Sequence, residues 1–145
     1  MYGSLFQNCK IVFLDNPLTA GSTTNSRGSK VVDMTGYDSI LTLTTIGAST
    51  TAVTISAQTA SSTSAADFAT VTHNSTNISA NSTASNGMIA VEALNVNKRY
   101  FRLTVNSTGA NVTGGTAAIL FRAHSAPSTH ASSDVLASYT GVVTS

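Results

Sequence analysis

The side chains that could carry out acid–base chemistry are few in this sequence of 145 residues. It contains six carboxylates and three histidines. Hydrolysis of a glycosidic bond would need two carboxyl groups gathered around one cleft, and Asp67 with Glu92 is the pair that a hydrolytic β-domain would have to bring together. No two acids stand in the sequence context of a catalytic pair. We interpret most of them as solvated groups at strand ends: Asp15, Asp33, Asp38, Asp67, Glu92 and Asp134.

The other reactive side chains form no recognisable motif. His73, His124 and His130 fall in predicted loops or in the C-terminal tail, and their spacing matches no helical metal site. Cys9 is the only cysteine, so an intrachain disulfide is excluded and we expect a buried thiol. The sequence has no G-x-S-x-G, P-loop or G-x-G-x-x-G motif. We therefore expect no enzymatic activity, no cofactor and no bound metal.

Positive charge is concentrated on the segment Lys98–Ala123. Lys98 and Arg99 open this segment, Arg102 lies in its first half and Arg122 near its end. Two interpretations are open: a solvated outer face, or a contact with an acidic partner surface or another subunit. Nucleic acid is the weakest partner, because the net charge is only +1 and the aromatic and basic residues do not interleave as a stacking platform. We keep Arg102 and Arg122 as candidate contact residues.

The composition predicts an all-β chain. Charged residues make up 9% of it, against about 25% in average soluble domains. Threonine and valine favour strands, while serine, asparagine and glycine favour turns, and strong helix formers are scarce. The length fits one domain with one sizeable core.

We interpret Lys98–Ala123 as a β-hairpin around which an antiparallel β-sandwich is built. Phe101 alternates with Arg102 in its first strand, and Phe121 alternates with Arg122 in its second. This period of two is typical of half-buried strands, because successive side chains leave opposite faces. It places both arginines on the face opposite the phenylalanines. The stretch between the strands is rich in Asn, Gly, Ser and Thr and predicts a turn.

Further strands are predicted on the N-terminal side of this hairpin, which gives a sandwich domain of residues 9–123. Leu18–Ser29 has no strand pattern and predicts a loop, and we interpret the polar stretch His73–Asn86 as a long exposed excursion. The predicted strands are Lys10–Asp15, Lys30–Met34, Tyr37–Ile46, Thr51–Gln58, Phe68–Thr72 and Gly87–Asn95.

The N-terminal segment, residues 1–8, is predicted to be an arm. It carries the large apolar residues Tyr2, Leu5 and Phe6 on an otherwise irregular stretch. Apolar groups of this size must be buried somewhere. Packing on their own domain and docking on a neighbouring subunit are equally open interpretations.

The C-terminal segment, residues 124–145, is predicted to be a second arm. From Val135 onward it carries apolar groups without an evident partner strand, including Tyr139, Val142 and Val143. We favour an arm that crosses to another subunit over one that packs along its own domain. No stretch of the chain approaches the about 20 apolar residues of a membrane span, so no membrane partner is expected.

Several short motifs stand out together: Gly36–Ile40, Thr54–Gln58 with Asp67–Ala69, and Lys98–Arg102 with Ala126–Pro127. Their order and spacing between about Ile11 and His130 resemble those of small tailed-phage virion proteins, some of which are capsid decoration, or cement, proteins. This resemblance implies a β-sandwich, often jelly-roll-like, that commonly forms a trimer on the capsid exterior and has no catalytic residues.

From these observations we expect a phage head decoration protein, made in the cytoplasm of the bacterial host and located on the virion exterior. It would form a homotrimer and bridge neighbouring major capsid proteins. The alternative is a tail- or fibre-associated sandwich that binds host glycans, although such sites usually present flat aromatic rings and this chain has no Trp and four Tyr. The expected contact residues are Tyr2, Leu5, Phe6, Arg102, Arg122, Tyr139, Val142 and Val143.

Overall fold

The predicted all-β class is confirmed. Within the described residues the regular elements are β-strands and one short 3₁₀ helix, Ala65–Asp67. Both predicted arms lie outside the described ranges, apart from Asn8 and His124 at their inner ends. The computed structural model describes residues 8–16, 25–49, 51–73, 75–83, 86–107 and 111–124.

Twelve strands account for most of the described chain. Three of them lie in segments predicted otherwise: β2 falls in the predicted loop Leu18–Ser29, and β8 and β9 fall in the predicted excursion, where Ile78 and Ala80 pack against the core. Those two predictions are wrong at these places. The bounds are β1 Lys10–Asp15, β2 Asn25–Gly28, β3 Val32–Asp33, β4 Tyr37–Ser49, β5 Val53–Ala60, β6 Ala69–Thr70, β7 Thr72–His73, β8 Thr76–Asn77, β9 Ser79–Ser82, β10 Gly87–Ala93, β11 Tyr100–Ser107 and β12 Asn111–Ala123.

The strands form two stacked sheets in jelly-roll order. Sheet A has the order β1-β12-β4-β10, and sheet B the order β2-β11-β5-β6. In sheet B, β3 continues the position of β2 beside β11, and β9 continues that of β6 beside β5. Counted in this way, eight antiparallel strands alternate between two four-stranded sheets, with β5 and β6 as the neighbours that stay in one sheet. This is the jelly-roll arrangement, and β7 with β8 forms a small separate hairpin.

The core fills the space between the two inner faces. Ile40 and Leu120 from sheet A meet Ile55, Phe101 and Leu103 from sheet B, and all five side chains are fully buried. Burial of each such side chain stabilises the fold by about 1.5–3 kcal/mol before entropy is counted. Cys9 is also buried, as predicted, and burial raises the pKa of its thiol.

The predicted hairpin Lys98–Ala123 is wrong in its pairing. β11 pairs with β5 in sheet B, whereas β12 pairs with β4 in sheet A. In a jelly roll most consecutive strands lie in opposite layers, so β11 and β12 do not pair as a hairpin. Both strands are nevertheless central in their sheets, which explains their strong apolar pattern.

The side of β12 that faces the core is the one opposite Phe121. Ala118 and Leu120 are fully buried, so Phe121 lies on the outer side of the strand, where it is half-buried. Both alternating sets of residues in this strand are apolar. A period of two therefore marks the strand without telling which set faces the core. Arg122 ends the strand as an exposed residue with a positive φ of 57°.

Two glycines permit close packing where the register of β12 shifts. The shift against β4 falls between Thr113 and Thr116 and contains Gly114 and Gly115. A Cβ on Gly114 would overlap Oγ1 of Thr45, and one on Gly115 would lie 2.9 Å from the Phe13 ring. This β-bulge therefore requires residues without a side chain at both positions.

A polar cluster joins the two sheets at one edge of the sandwich. Nη2 of Arg27, on β2, lies 2.7 Å from Oδ2 of Asp15, on β1, and also donates a hydrogen bond of 3.0 Å to Oγ1 of Thr113, on β12. The arginine and the aspartate are mostly buried, with 21% and 17% of their side chains exposed. The arginine therefore holds a strand of sheet B against two strands of sheet A.

Candidate interaction surface

The outer face of sheet A is apolar. Along its strands, the residues that alternate with buried ones point away from the core. Leu41 and Leu43 alternate in this way with the buried Ile40 and Thr42. Equivalent residues of β1, β10 and β12 extend the same surface. We call the following seven residues the outer apolar patch: Phe13, Leu41, Leu43, Met88, Ala90, Ala117 and Ile119.

The strand register makes the outer apolar patch contiguous. Ile119 pairs with Leu41 in one row, and Met88 pairs with Thr45 in another. Residues in the same row of neighbouring strands lie about 4.5–5.5 Å apart and are in side-chain contact. Between these two rows lies a third that crosses all four strands in the order Phe13, Ala117, Leu43 and Ala90.

The patch is accessible and nearly free of charge. Met88 is 58% exposed, Ala90 is exposed, and Leu41, Leu43 and Ile119 are half-buried. The one charged side chain in the three rows is that of Glu92, which pairs with Leu41 at the β10 edge. The described strands outside sheet A belong to sheet B or to the β7–β8 hairpin, so among the described residues no third layer of strands lies over this face.

The outer face of sheet B is polar. Its residues point outward by the same alternation, because their neighbours Ile55, Ala57, Leu103 and Val105 are buried. Each outward residue of β11 stands beside a polar or small residue of β5. The outward residues of the two central strands are Thr54, Ser56, Gln58, Tyr100, Arg102, Thr104 and Asn106.

Arg102, a predicted contact residue, is held within its own chain. Its guanidinium lies 4.2 Å from the centroid of the Phe68 ring, and its Nε donates a hydrogen bond of 2.8 Å to Oε1 of Gln58. A cation over an aromatic face stabilises both groups. The side chain therefore covers Phe68 on the outer face of sheet B, which is the solvated-face interpretation with an added packing role.

Arg122, the other predicted contact residue in the described chain, lies elsewhere. It ends β12 in sheet A and donates a hydrogen bond of 3.0 Å from Nη1 to Oδ1 of Asn95. The fold therefore does not bring the two arginines together on one surface. The other predicted contact residues, Tyr2, Leu5, Phe6, Tyr139, Val142 and Val143, lie outside the described residues.

The acids that the structure describes do not converge on a catalytic cleft. Asp67 lies in the 3₁₀ helix beside sheet B, whereas Glu92 projects from the outer face of sheet A. The sandwich therefore separates the pair that a hydrolytic β-domain would need. No group of three or more His, Cys, Asp or Glu that could hold a metal is found within the described ranges.

Two further side-chain pairs, Arg99 with Asp33 and His124 with Asp38, are exposed on the surface. Asp33 accepts hydrogen bonds from Arg99, and this guanidinium holds the pKa of the carboxyl well below its usual range. Nε2 of His124 lies 2.6 Å from Oδ1 of Asp38 at the end of β12. Pairs of this kind are common on protein surfaces and contribute little to stability.

One groove next to sheet B combines an acid with a base. It has a volume of about 400 Å³ and is lined by Thr59, Thr70, Asp67 and Lys98 among others. Asp67 there is hydrogen-bonded to Ser62. The groove offers a single carboxyl group, which is one fewer than hydrolysis of a glycosidic bond requires.

The outer apolar patch was missed by the sequence interpretation, although a signal for it exists. Each alternating set carries two large apolar residues in Ser39–Ile46, and both sets are entirely apolar in Ala117–Phe121. A sheet strand with one solvated face normally alternates apolar with polar residues. Apolar character on both sides of two strands that pair with each other indicates a sheet that is apolar on both faces.

The comparisons with protein families and curated proteins assign no function to this chain. No family model matches the chain, and no curated protein matches it significantly. Among the described residues, no helix is long and apolar enough to cross a membrane.

Proposed function

We propose that this chain is a structural decoration protein of a tailed-phage capsid. In this proposal it forms a homotrimer on the outside of the shell and bridges neighbouring major capsid proteins without catalysing a reaction. The motif resemblance suggests the family, and a jelly roll is a fold that viral capsid proteins share with lectins. Because one fold hosts many functions, the evidence for this function has to come from the surface of the protein and not from its fold.

The single observation that carries the proposal is the outer apolar patch. The largest contiguous apolar surface of a soluble monomer typically covers a few hundred Å² and is often a functional site. Here Leu43 and Met88 lie on a sheet whose opposite face already supplies the core. A second apolar face is not needed to form the core between the sheets and therefore suits a protein that works by binding to another surface.

Binding of this kind would stabilise the shell by mass action. A ligand that binds only the assembled shell lowers the free energy of that state and of no other. A trimer would place three copies of each contact on one particle, so weak individual contacts would add to firm attachment. Low charge suits such a subunit, because the contacts would depend little on salt.

The glycan-binding alternative has weaker support among the described residues. Sugar sites commonly use exposed flat rings, and the tyrosine on the polar face of sheet B, Tyr100, is half-buried with the Arg99 guanidinium 5.1 Å from its ring centroid. The jelly-roll fold by itself fits lectins as well as capsid proteins. We therefore retain only the decoration role as our proposal.

Two measurements on the purified full chain test the proposal. Light scattering should give about three times the chain mass of 14.8 kDa. Co-sedimentation with shells assembled from the source phage's major capsid protein should deplete the chain from the supernatant at saturable stoichiometry. A chain that stays monomeric and remains in the supernatant would contradict the proposal, and retention on a glycan array instead would favour the alternative.

A further inference from the structure

We infer that the outer apolar patch is the surface that meets the shell, and that the polar face of sheet B points into solvent. The inference rests on the function proposed above and adds the contact surface, its orientation and the chemistry of the partner. The partner is an apolar, uncharged area on the exterior of the assembled major capsid protein.

The charge distribution of the patch favours an apolar, uncharged partner surface. Glu92 is the only charge in the three rows of the patch, and it lies at the β10 edge. An acidic or basic partner surface would leave its charges unpaired against Leu41, Leu43 and their neighbours, and a desolvated unpaired charge is costly. An apolar surface meets the patch without that penalty.

The small area of the patch favours a partner that offers the same binding site many times, and disfavours a single second copy of this chain. Four strands about 4.8 Å apart and three rows about 6.8 Å apart span about 400 Å², an upper bound for the patch because Glu92 and Thr45 occupy two of the positions. One side of a stable pairwise interface covers about 800 Å². Two copies joined through this patch alone would therefore associate weakly. A shell offers the same site many times, so an oligomer that carries several patches can bind it firmly.

The orientation follows from the architecture. The two outer faces lie on opposite sides of the sandwich, separated by the core. Docking of sheet A therefore directs Thr54, Ser56 and Asn106 of sheet B away from the shell. Hydroxyl and amide groups remain hydrated at such a surface at no cost. The polar face is thus the side of the bound protein that other molecules would encounter.

Matched lysine substitutions in the full chain test the inference. On the patch we choose Leu43→Lys, half-buried in the central strand β4, and Met88→Lys, exposed in β10. The controls on sheet B are Ser56→Lys, half-buried in the central strand β5, and Asn106→Lys, exposed in β11. Each variant adds the same charge at a matched depth, so net charge and expression effects cancel in the comparison.

Three quantities are measured for each variant: affinity for shells by co-sedimentation, solution mass by light scattering, and melting temperature. The patch variants should bind shells about 30-fold or more weakly, as expected for a charge in an interface centre. The controls should stay within about threefold of the parent chain, since a solvated charge changes affinity little. The solution mass and the melting temperature of each patch variant should match those of its control.

The outcomes separate this inference from the proposed function. If the parent chain does not bind shells, the proposed function fails. If it binds and the patch variants bind equally well, only the inferred surface is wrong. A lower mass confined to the patch variants would mean that a second copy covers the patch. A much lower melting temperature with shell binding intact would mean that the chain covers its own patch. Each of these two results overturns the inference.

Oxidation of Met88 in the parent chain provides a readout that needs no substitution. Its exposed thioether should react readily with peroxide when the chain is free. On shells the reaction should slow, whereas the buried Met34 should react slowly in both states. Equal oxidation of Met88 in the free and bound chain would overturn the inference.

Discussion

The two sheets each bury one face in the core, but their outer faces are very different. On sheet B, outward residues such as Thr54 and Gln58 are polar, as expected for an antiparallel sheet with one solvated side. On sheet A, Leu41, Leu43 and Ile119 occupy the corresponding outward positions. Both sheets solve the same folding problem, the burial of one face. Folding therefore does not explain the difference between their outer faces, and we attribute this difference to binding.

The largest expected effect distinguishes the two sides of sheet A within one strand. Leu120 is fully buried, so Leu120→Ala should lower the free energy of unfolding by about 3 kcal/mol. Its neighbour Ile119 is half-buried on the outer face, so Ile119→Ala should cost about 1 kcal/mol. Urea unfolding of both variants measures the difference. Equal losses would mean that the outer face is packed as tightly as the core, which would contradict the difference between the two faces of sheet A.

The second prediction concerns the bulge that shapes the apolar side. Gly114→Ala should destabilise the fold by about 2 kcal/mol, because its Cβ would overlap Thr45. Gly87→Ala is the control, since nothing lies within 4 Å of a Cβ there. Removing the obstructing side chain in Gly114→Ala with Thr45→Ala should restore part of the loss. The melting temperatures of the three variants measure these effects. An unchanged melting temperature for Gly114→Ala would contradict the close packing.

The third prediction concerns the polar side. Arg102→Ala should cost about 1 kcal/mol, because it removes both the cation and the hydrocarbon stem that cover Phe68. Arg102→Met keeps most of the stem and should cost less. Neither change should alter shell binding if the polar face points into solvent. Loss of shell binding in Arg102→Met with unchanged stability would reassign the binding surface to sheet B.

The smallest expected effect lies at an exposed ion pair beside the polar sheet. The pKa of Asp33 is held below its usual value of about 3.9 by Arg99, so the pair contributes stability above about pH 4 and loses it as the pH falls towards the folded-state pKa. Both side chains are well exposed, so the contribution is small. Asp33→Asn should be slightly less stable than the parent at pH 7, and the gap should narrow at pH 3. A gap that widens at pH 3 would contradict the assignment.

Much of the fold could be predicted because alternation is a local property. Thr51–Gln58 and Tyr37–Ile46 were expected as strands and correspond to β5 and β4. The weak strands β2 and β9 escaped prediction, because Asn25–Gly28 and Ser79–Ser82 are polar segments that pair only along the edges of stronger strands. Their strand character comes from the neighbour and not from their own composition.

Sequence alone established an all-β chain of low charge, a β-sandwich and the absence of recognisable catalytic motifs, since composition and period-two patterns carry that information. It could not establish that β11 and β12 lie in opposite sheets, or that Phe121 points outward while Leu120 is buried. An alternating pattern is unchanged when the two faces of a strand are exchanged, and only pairing with distant strands breaks that symmetry. The outer apolar patch exists for the same reason, because its residues come from β1, β4, β10 and β12 and meet only when these four strands assemble.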